Sequence, residues 1–253
     1  MRDDICTIPV SEIFEETDGC PICRMYERAE KRIVEYILGD AMMEPDVRIA
    51  TNKVGFCERH YDKMLSARGR LQLSLMLQTH IDEINKGIFD KKLFNSTAKK
   101  GETAGKISHT CFICDKIEFG LSRMIETIYR TYEKEEDFRN LFNSQPQFCL
   151  PHFERLVANF DKKKMKYYGG EFMKNLTRIT SDFSKSLYND ISEYCTVYDY
   201  RNAGEKKMSE NAMNSVENTV NFLTGRRLLS TPLVYITLKN NRNVDNFSRK
   251  QAV

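Results

Sequence analysis

The chain has 253 residues, 41% of them hydrophobic and with fifteen Phe and twelve Tyr, enough apolar material for one large core or two of about 120 residues each, which excludes global disorder. Thirty-nine Lys and Arg against thirty-six Asp and Glu leave a net charge of only +3, far from the strongly basic balance of a dedicated duplex-binding protein. The charged start Met1-Arg2-Asp3-Asp4-Ile5-Cys6 leads into no apolar run, and no window approaches the roughly 18 consecutive apolar residues of a membrane span, so a cytoplasmic protein without membrane association is expected.

In chain order, Ile8 to Glu16 reads as a short helix, and Asp18-Gly19 as a turn leading into Cys20-Pro21-Ile22-Cys23. Met25, Ala29, Ile33, Tyr36 and Ile37 recur at helical spacing from Arg24 to Leu38, where Gly39-Asp40 ends the helix. A second helix spans Glu44 to Lys53, and Val54-Gly55-Phe56 turns the chain into Cys57-Glu58-Arg59-His60. Helix resumes from His60, breaks at Arg68-Gly69-Arg70, and continues with Leu71, Leu75, Ile81, Ile84 and Ile88 as an apolar stripe. Residues 91–110 are polar and rich in Lys and Gly, the composition of a linker.

The order then repeats. Cys111-Phe112-Ile113-Cys114 opens a helix with Ile117, Leu121, Met124, Ile125 and Ile128 on one side. A helix from Glu135 to Phe142 precedes Ser144-Gln145-Pro146 and Cys149-Leu150-Pro151-His152. Another helix follows, is interrupted near Gly169-Gly170, and runs to about Tyr198. Met208 to Leu223 predicts one more helix, closed by Gly225 with Arg226 and Arg227 as terminal cations. Thr231 to Leu238 is the one segment with β character, and the last fifteen residues have the composition of a disordered tail.

Each half thus supplies three cysteines and one histidine in two i, i+3 pairs, separated by 33 residues in the first half and 34 in the second. That is the donor set of a closed tetrahedral zinc site, and in the cytosol paired cysteines are metal ligands more often than disulfides. The expected ligands are Cys20, Cys23, Cys57, His60, Cys111, Cys114, Cys149 and His152, holding two zinc ions; an iron–sulfur cluster is the alternative. Each C-x-x-C can pair with the C-x-x-H of its own half or of the other. Pairing within a half closes the shorter loop and is the expectation.

The duplication extends past the ligands: His60-Tyr61-Asp62-Lys63-Met64-Leu65 aligns with His152-Phe153-Glu154-Arg155-Leu156-Val157, and Phe56 with Phe148. The expected fold is mostly α, with two pseudo-repeated helical lobes, each stapled by a Cys3His site. Residues 1–90 form the first repeat, 91–110 the linker, 111–200 the second repeat, 201–227 a C-terminal helix, and 228–253 a tail with one short strand.

The C-P-I-C pair, the Gly55-Phe56-Cys57-x-x-His60 element and their repetition resemble an uncharacterised bacterial family known only as a domain of unknown function, over roughly residues 5–225. Phe112 replaces the proline and Gln147 the glycine in the second copy, at positions that shape the turn rather than bind metal. The resemblance implies an intracellular, helical, zinc-binding protein and implies no reaction.

Four donors per site leave no position for a catalytic water, and no H-E-x-x-H, phosphate loop or nucleophile elbow is present. Glu58 stands beside Cys57, but its counterpart is Leu150, which speaks against catalysis. Cys195 reads as core and Cys6 as a spare or fifth ligand; His80 reads as the polar edge of a helix, and His109 as a substitute ligand two residues before Cys111. Lys162, Lys163, Lys164 and Lys166 with Tyr167 and Tyr168 interleave cations and aromatics as single-strand binders do, against the plainer reading of a solvated helix end. The leading expectation is a non-enzymatic adaptor for an unknown protein partner. A nucleic-acid-binding module and a thiol-redox or metal sensor are the alternatives.

Overall fold

The computed structural model describes residues 10–89, 97–199 and 208–225. Within them the regular elements are helices and no strand is present. In order these are α1 (Val10–Glu15), α2 (Pro21–Leu38), a 3-10 turn (Asp40–Met43), α3 (Pro45–Val54), α4 (Glu58–Ser66) and α5 (Arg70–Ile84), which ends in a π turn (Asn85–Phe89). They continue with α6 (Thr97–Ser108), α7 (Phe112–Lys134), α8 (Glu136–Asn143), α9 (Leu150–Ala158), α10 (Gly169–Tyr198), α11 (Glu210–Met213) and α12 (Ser215–Thr224). No helix among the described residues is long and apolar enough to cross a membrane.

The spine is the pair α2 and α7, each beginning at a C-x-x-C. Cys20 and Cys111 are the residues just before each helix, and Pro21 takes the first helical position, where its missing N–H costs nothing. Ile22, Met25 and Ala29 of α2 share one apolar cluster with Leu121, Met124, Ile125 and Ile128 of α7. Ile33, Ile37 and Leu38 share the other with Phe112, Ile113 and Ile117. The two helices therefore run antiparallel. The eighteen residues of α2 span about 27 Å, so the two cysteine pairs lie at opposite ends of the spine.

Each end of the spine gathers its own lobe. The first contains α1, α8, α9 and α10 around Phe14, Phe138, Phe142, Phe148 and Phe172, with the Tyr132 ring 5.1 Å from both Phe142 and Phe172. The second contains α4 and α5 around Phe56, Met64, Leu73 and Met76. The fold is the expected helical pair of lobes, but both halves of the sequence contribute to each lobe.

Buried Arg24 fastens α1 and its turn to the spine. Its guanidinium donates to the carbonyls of Ile13, Glu16 and Gly19, to Asp18 at 2.8 Å and to Gln145 Oε1 at 2.9 Å. Gln145 in turn donates to the Phe14 carbonyl at 2.6 Å, drawing the turn before Cys149 toward Cys20.

Several expectations are corrected. On α5 the buried face is Leu73, Met76 and His80, whereas Leu71 is 67% and Ile81 52% exposed. Apolar residues surround this helix, and contact with α3 chooses the face: Arg48 donates to Leu75 O and Thr79 Oγ1, and His80 Nδ1 lies 2.7 Å from Asn52 O. His80 is thus a core residue. Cys195 is exposed, because α10 buries nothing beyond Leu187. The stretch read as linker carries α6, none of whose residues is buried. The single helix predicted from Met208 to Leu223 is split at Asn214 into α11 and α12, although Gly225 ends it in the left-handed conformation expected of a helix-terminating glycine. Cys6, residues 91–96 and the β segment Thr231 to Leu238 lie outside the described residues.

Candidate metal centres

The eight predicted ligands converge into two groups of four, with donor atoms in each group all within 4.8 Å of one another. The first group is Cys20, Cys23, Cys149 and His152; the second is Cys57, His60, Cys111 and Cys114. Pairing within each half is therefore overturned: each C-x-x-C meets the C-x-x-H of the other half. The antiparallel spine explains this, since it carries each cysteine pair away from its own partner and toward the other. The entropic cost is small. Joining Cys23 to Cys149, 126 positions away, rather than to Cys57, 34 away, is nearly two doublings of the loop, or about 1.1 kcal/mol. One buried Ile or Met on the spine contributes about 1.5–3 kcal/mol.

Backbone contacts set the register of the exchange. Gly55 O accepts from Phe112 N at 3.0 Å, and Val54 O accepts from Thr110 Oγ1 at 2.8 Å, holding the turn before Cys57 against the chain on either side of Cys111. Gly55 has φ +65°, and a Cβ there would lie 2.8 Å from His80 Nε2. Gly55→Ala should therefore lose about 3 kcal/mol in a urea titration, combining backbone strain with a steric clash. In a His80→Ala background only the backbone part of that loss should remain; an equal loss in both backgrounds would show that His80 is not the obstacle.

The spacing of the donors matches a single tetrahedral ion. Bonds of about 2.3 Å to sulfur and 2.05 Å to nitrogen place neighbouring sulfurs about 3.8 Å apart and sulfur and nitrogen about 3.6 Å apart. In the first group Cys23 Sγ to Cys149 Sγ is 3.7 Å, and His152 Nδ1 lies 3.6, 3.4 and 3.1 Å from Cys20, Cys23 and Cys149. In the second, Cys57 Sγ to Cys114 Sγ is 3.8 Å, and His60 Nδ1 lies 3.2, 3.2 and 3.4 Å from Cys57, Cys111 and Cys114. The two groups can hold metal ions.

Electrostatics point the same way. Burial opposes charge on Cys111, yet the His60 hydrogen bond and backbone N–H groups bring its thiol down to about 6. Burial and then the Cys111 charge push Cys114 up to about 12. The hydrogen bond with Cys20 and the burial around it push Cys149 to about 12, and Cys23 is raised by Cys149 and Cys20. Three thiols this close cannot all ionise unless a cation sits among them.

Sequence reasoning missed Glu30. This carboxylate on α2, 5% exposed, lies 3.0 Å from His60 Nε2 and also receives Arg59 and Lys63. Burial raises its pKa, but the His60 and Lys63 hydrogen bonds and the Arg59 charge lower it to about 2. With Glu30 accepting at Nε2, the Nδ1 lone pair of His60 faces the three sulfurs. The available signal was a glutamate on the otherwise apolar face of a predicted helix, one turn from Ile33.

The remaining candidates fall elsewhere. His109 is exposed and contacts Gly105 O, apart from either group. Lys162, Lys163, Lys164 and Lys166 are exposed in the loop before α10, a loop rather than a helix end, anchored by buried Met165. Tyr167 is 85% exposed, while Arg139 covers the Tyr168 ring at 3.8 Å. Glu133 accepts both tyrosine backbone N–H groups.

A model of a family of unknown function (DUF6062) matches residues 1–228. The chain belongs to the DUF6062 family. No curated protein and no solved structure matches it. The DUF6062 match spans all eight donors and reaches past Gly225, where α12 ends against the first group.

Proposed function

We propose that the protein is a non-enzymatic protein-interaction adaptor of the cytoplasm whose helices are held together by two structural zinc ions. The observation that carries this reading is that each group brings four protein donors to tetrahedral spacing, so a bound ion has no position for water or substrate. Mixed thiolate and imidazole donors suit zinc. An iron–sulfur cluster divides its four ligands over two or four irons, which spreads the donors on different irons more widely than groups whose donors all lie within 4.8 Å of one another. Reduced, metal-binding cysteines belong to a reducing compartment.

The adaptor surface in this reading is the outer face of α11 and α12. Met213, Val216, Val220 and Leu223 follow one another at helical spacing and are each 43–52% exposed, a stripe suited to an amphipathic helix of a partner protein. The test combines metal analysis with affinity capture. Native mass spectrometry should find two zinc ions per chain and no visible absorbance. A Val216→Asp, Val220→Asp chain should lose a partner that an Ile49→Asp chain retains. Iron in the protein, the same proteins captured by all three chains, or turnover in a substrate screen would sink the reading.

A further inference from the structure

The two donor groups are alike, but their surroundings are not. Behind the second group stands Glu30, which accepts from His60 Nε2 and is itself held by Arg59 and Lys63, so the imidazole is aimed before an ion arrives. Glu30 lies seven residues after Cys23; seven residues after Cys114 stands Leu121, buried in the first lobe and unable to accept a hydrogen bond. Among the described residues the His152 ring makes its hydrogen bonds through Nδ1 alone, toward the donors it must join, and no carboxylate of those residues stands at its Nε2. Just past α12, Gly225 O lies 3.2 Å from Cys23 Sγ, and a carbonyl oxygen donates nothing to a thiolate.

We propose that Glu30 is a positioning residue that makes the second group the tight site and leaves the ion of the first group exchangeable. This rests on the reading that both groups hold zinc. A carboxylate behind a metal-bound histidine fixes its tautomer and ring angle and raises its basicity, and loss of such a partner weakens affinity 10–100-fold. Among the described residues the first group has only its four donors for that purpose. Its ion therefore leaves first, and with it goes the fastening between the start of α2, α9 and the end of α12, where a Cβ on Gly225 would lie 3.4 Å from Cys149 Sγ. The second group, with α4 and the start of α7, stays closed.

The experiment uses the full chain loaded with zinc and titrated with a chromogenic zinc chelator, with hydrogen exchange followed by mass spectrometry at each step. One equivalent is expected to leave at a chelator concentration at least about 10-fold lower than the other. Its departure should raise exchange in α9 and α12 while α4 stays protected. In Glu30→Gln the second equivalent should move 10–100-fold toward the first while the first stays where it was; a general loosening of the fold would move both. Simultaneous release, earlier opening of α4, or an unchanged second equivalent in Glu30→Gln would overturn the proposal. Failure of the chain to retain stoichiometric zinc would instead remove the underlying metal reading.

Discussion

Serine in place of Cys149 is expected to leave one metal ion per chain and to loosen two segments that lie far apart in sequence. A structural zinc contributes about 10–16 kcal/mol to folding in small peptides, as much as or more than the roughly 5–15 kcal/mol that stabilises a typical domain. A site that loses a sulfur donor should therefore take its lobe with it. Hydrogen exchange should rise in α1, the first turns of α2, α9 and α12, the elements around Cys20, Cys23 and His152. The start of α7 should stay protected, because Cys111 and Cys114 close with Cys57 and His60. Cys57→Ser should do the reverse, opening α4 and the start of α7. Increased exchange at Cys111 in the Cys149→Ser chain would mean that the pairing lies within each half after all.

Arg24→Met should be the most damaging change that touches no metal donor. The side chain is 2% exposed and donates to three main-chain carbonyls, Asp18 and Gln145. Methionine fills a similar volume but leaves those acceptors without a donor in a buried setting, for which about 3–5 kcal/mol is expected. The measurement is the urea midpoint at constant slope. Arg24→Lys should recover little, since an ammonium lacks the planar fork that reaches all these acceptors at once. A loss below about 1 kcal/mol would show that water replaces the guanidinium and that α1 is not fastened this way.

The eight donors were legible because coordination chemistry fixes residue types and spacing locally: two i, i+3 pairs, repeated. The helices that follow them were legible for the same reason, with Ile117, Leu121, Met124, Ile125 and Ile128 all buried on α7 as their period demands. Which pair meets which was not legible, because it depends on the antiparallel packing of α2 on α7, and the loop-closure difference that favoured local pairing is worth less than one buried isoleucine. The face of α5 was misread because Leu71, Leu73, Leu75 and Leu77 offer apolar atoms on several sides, and the choice belongs to Arg48 and Asn52 on a neighbouring helix. Glu30 was passed over because one carboxylate on an amphipathic helix looks like surface until His60 is placed beside it.

The crossed pairing also dictates an order of assembly. Cys57 and Cys114 lie 57 positions apart, wholly inside the interval of 126 that separates Cys23 from Cys149. During synthesis the inner clasp becomes available once Cys114 has left the ribosome, whereas Cys20 and Cys23 wait until His152 emerges. Until then the nascent amino-terminal segment displays Ile13, Phe14, Ile22 and Met25 without the second-half residues they end up packing against, a natural substrate for a holding chaperone. A gene fragment encoding either half alone would yield a chain with two orphaned pairs of donors and neither donor group complete.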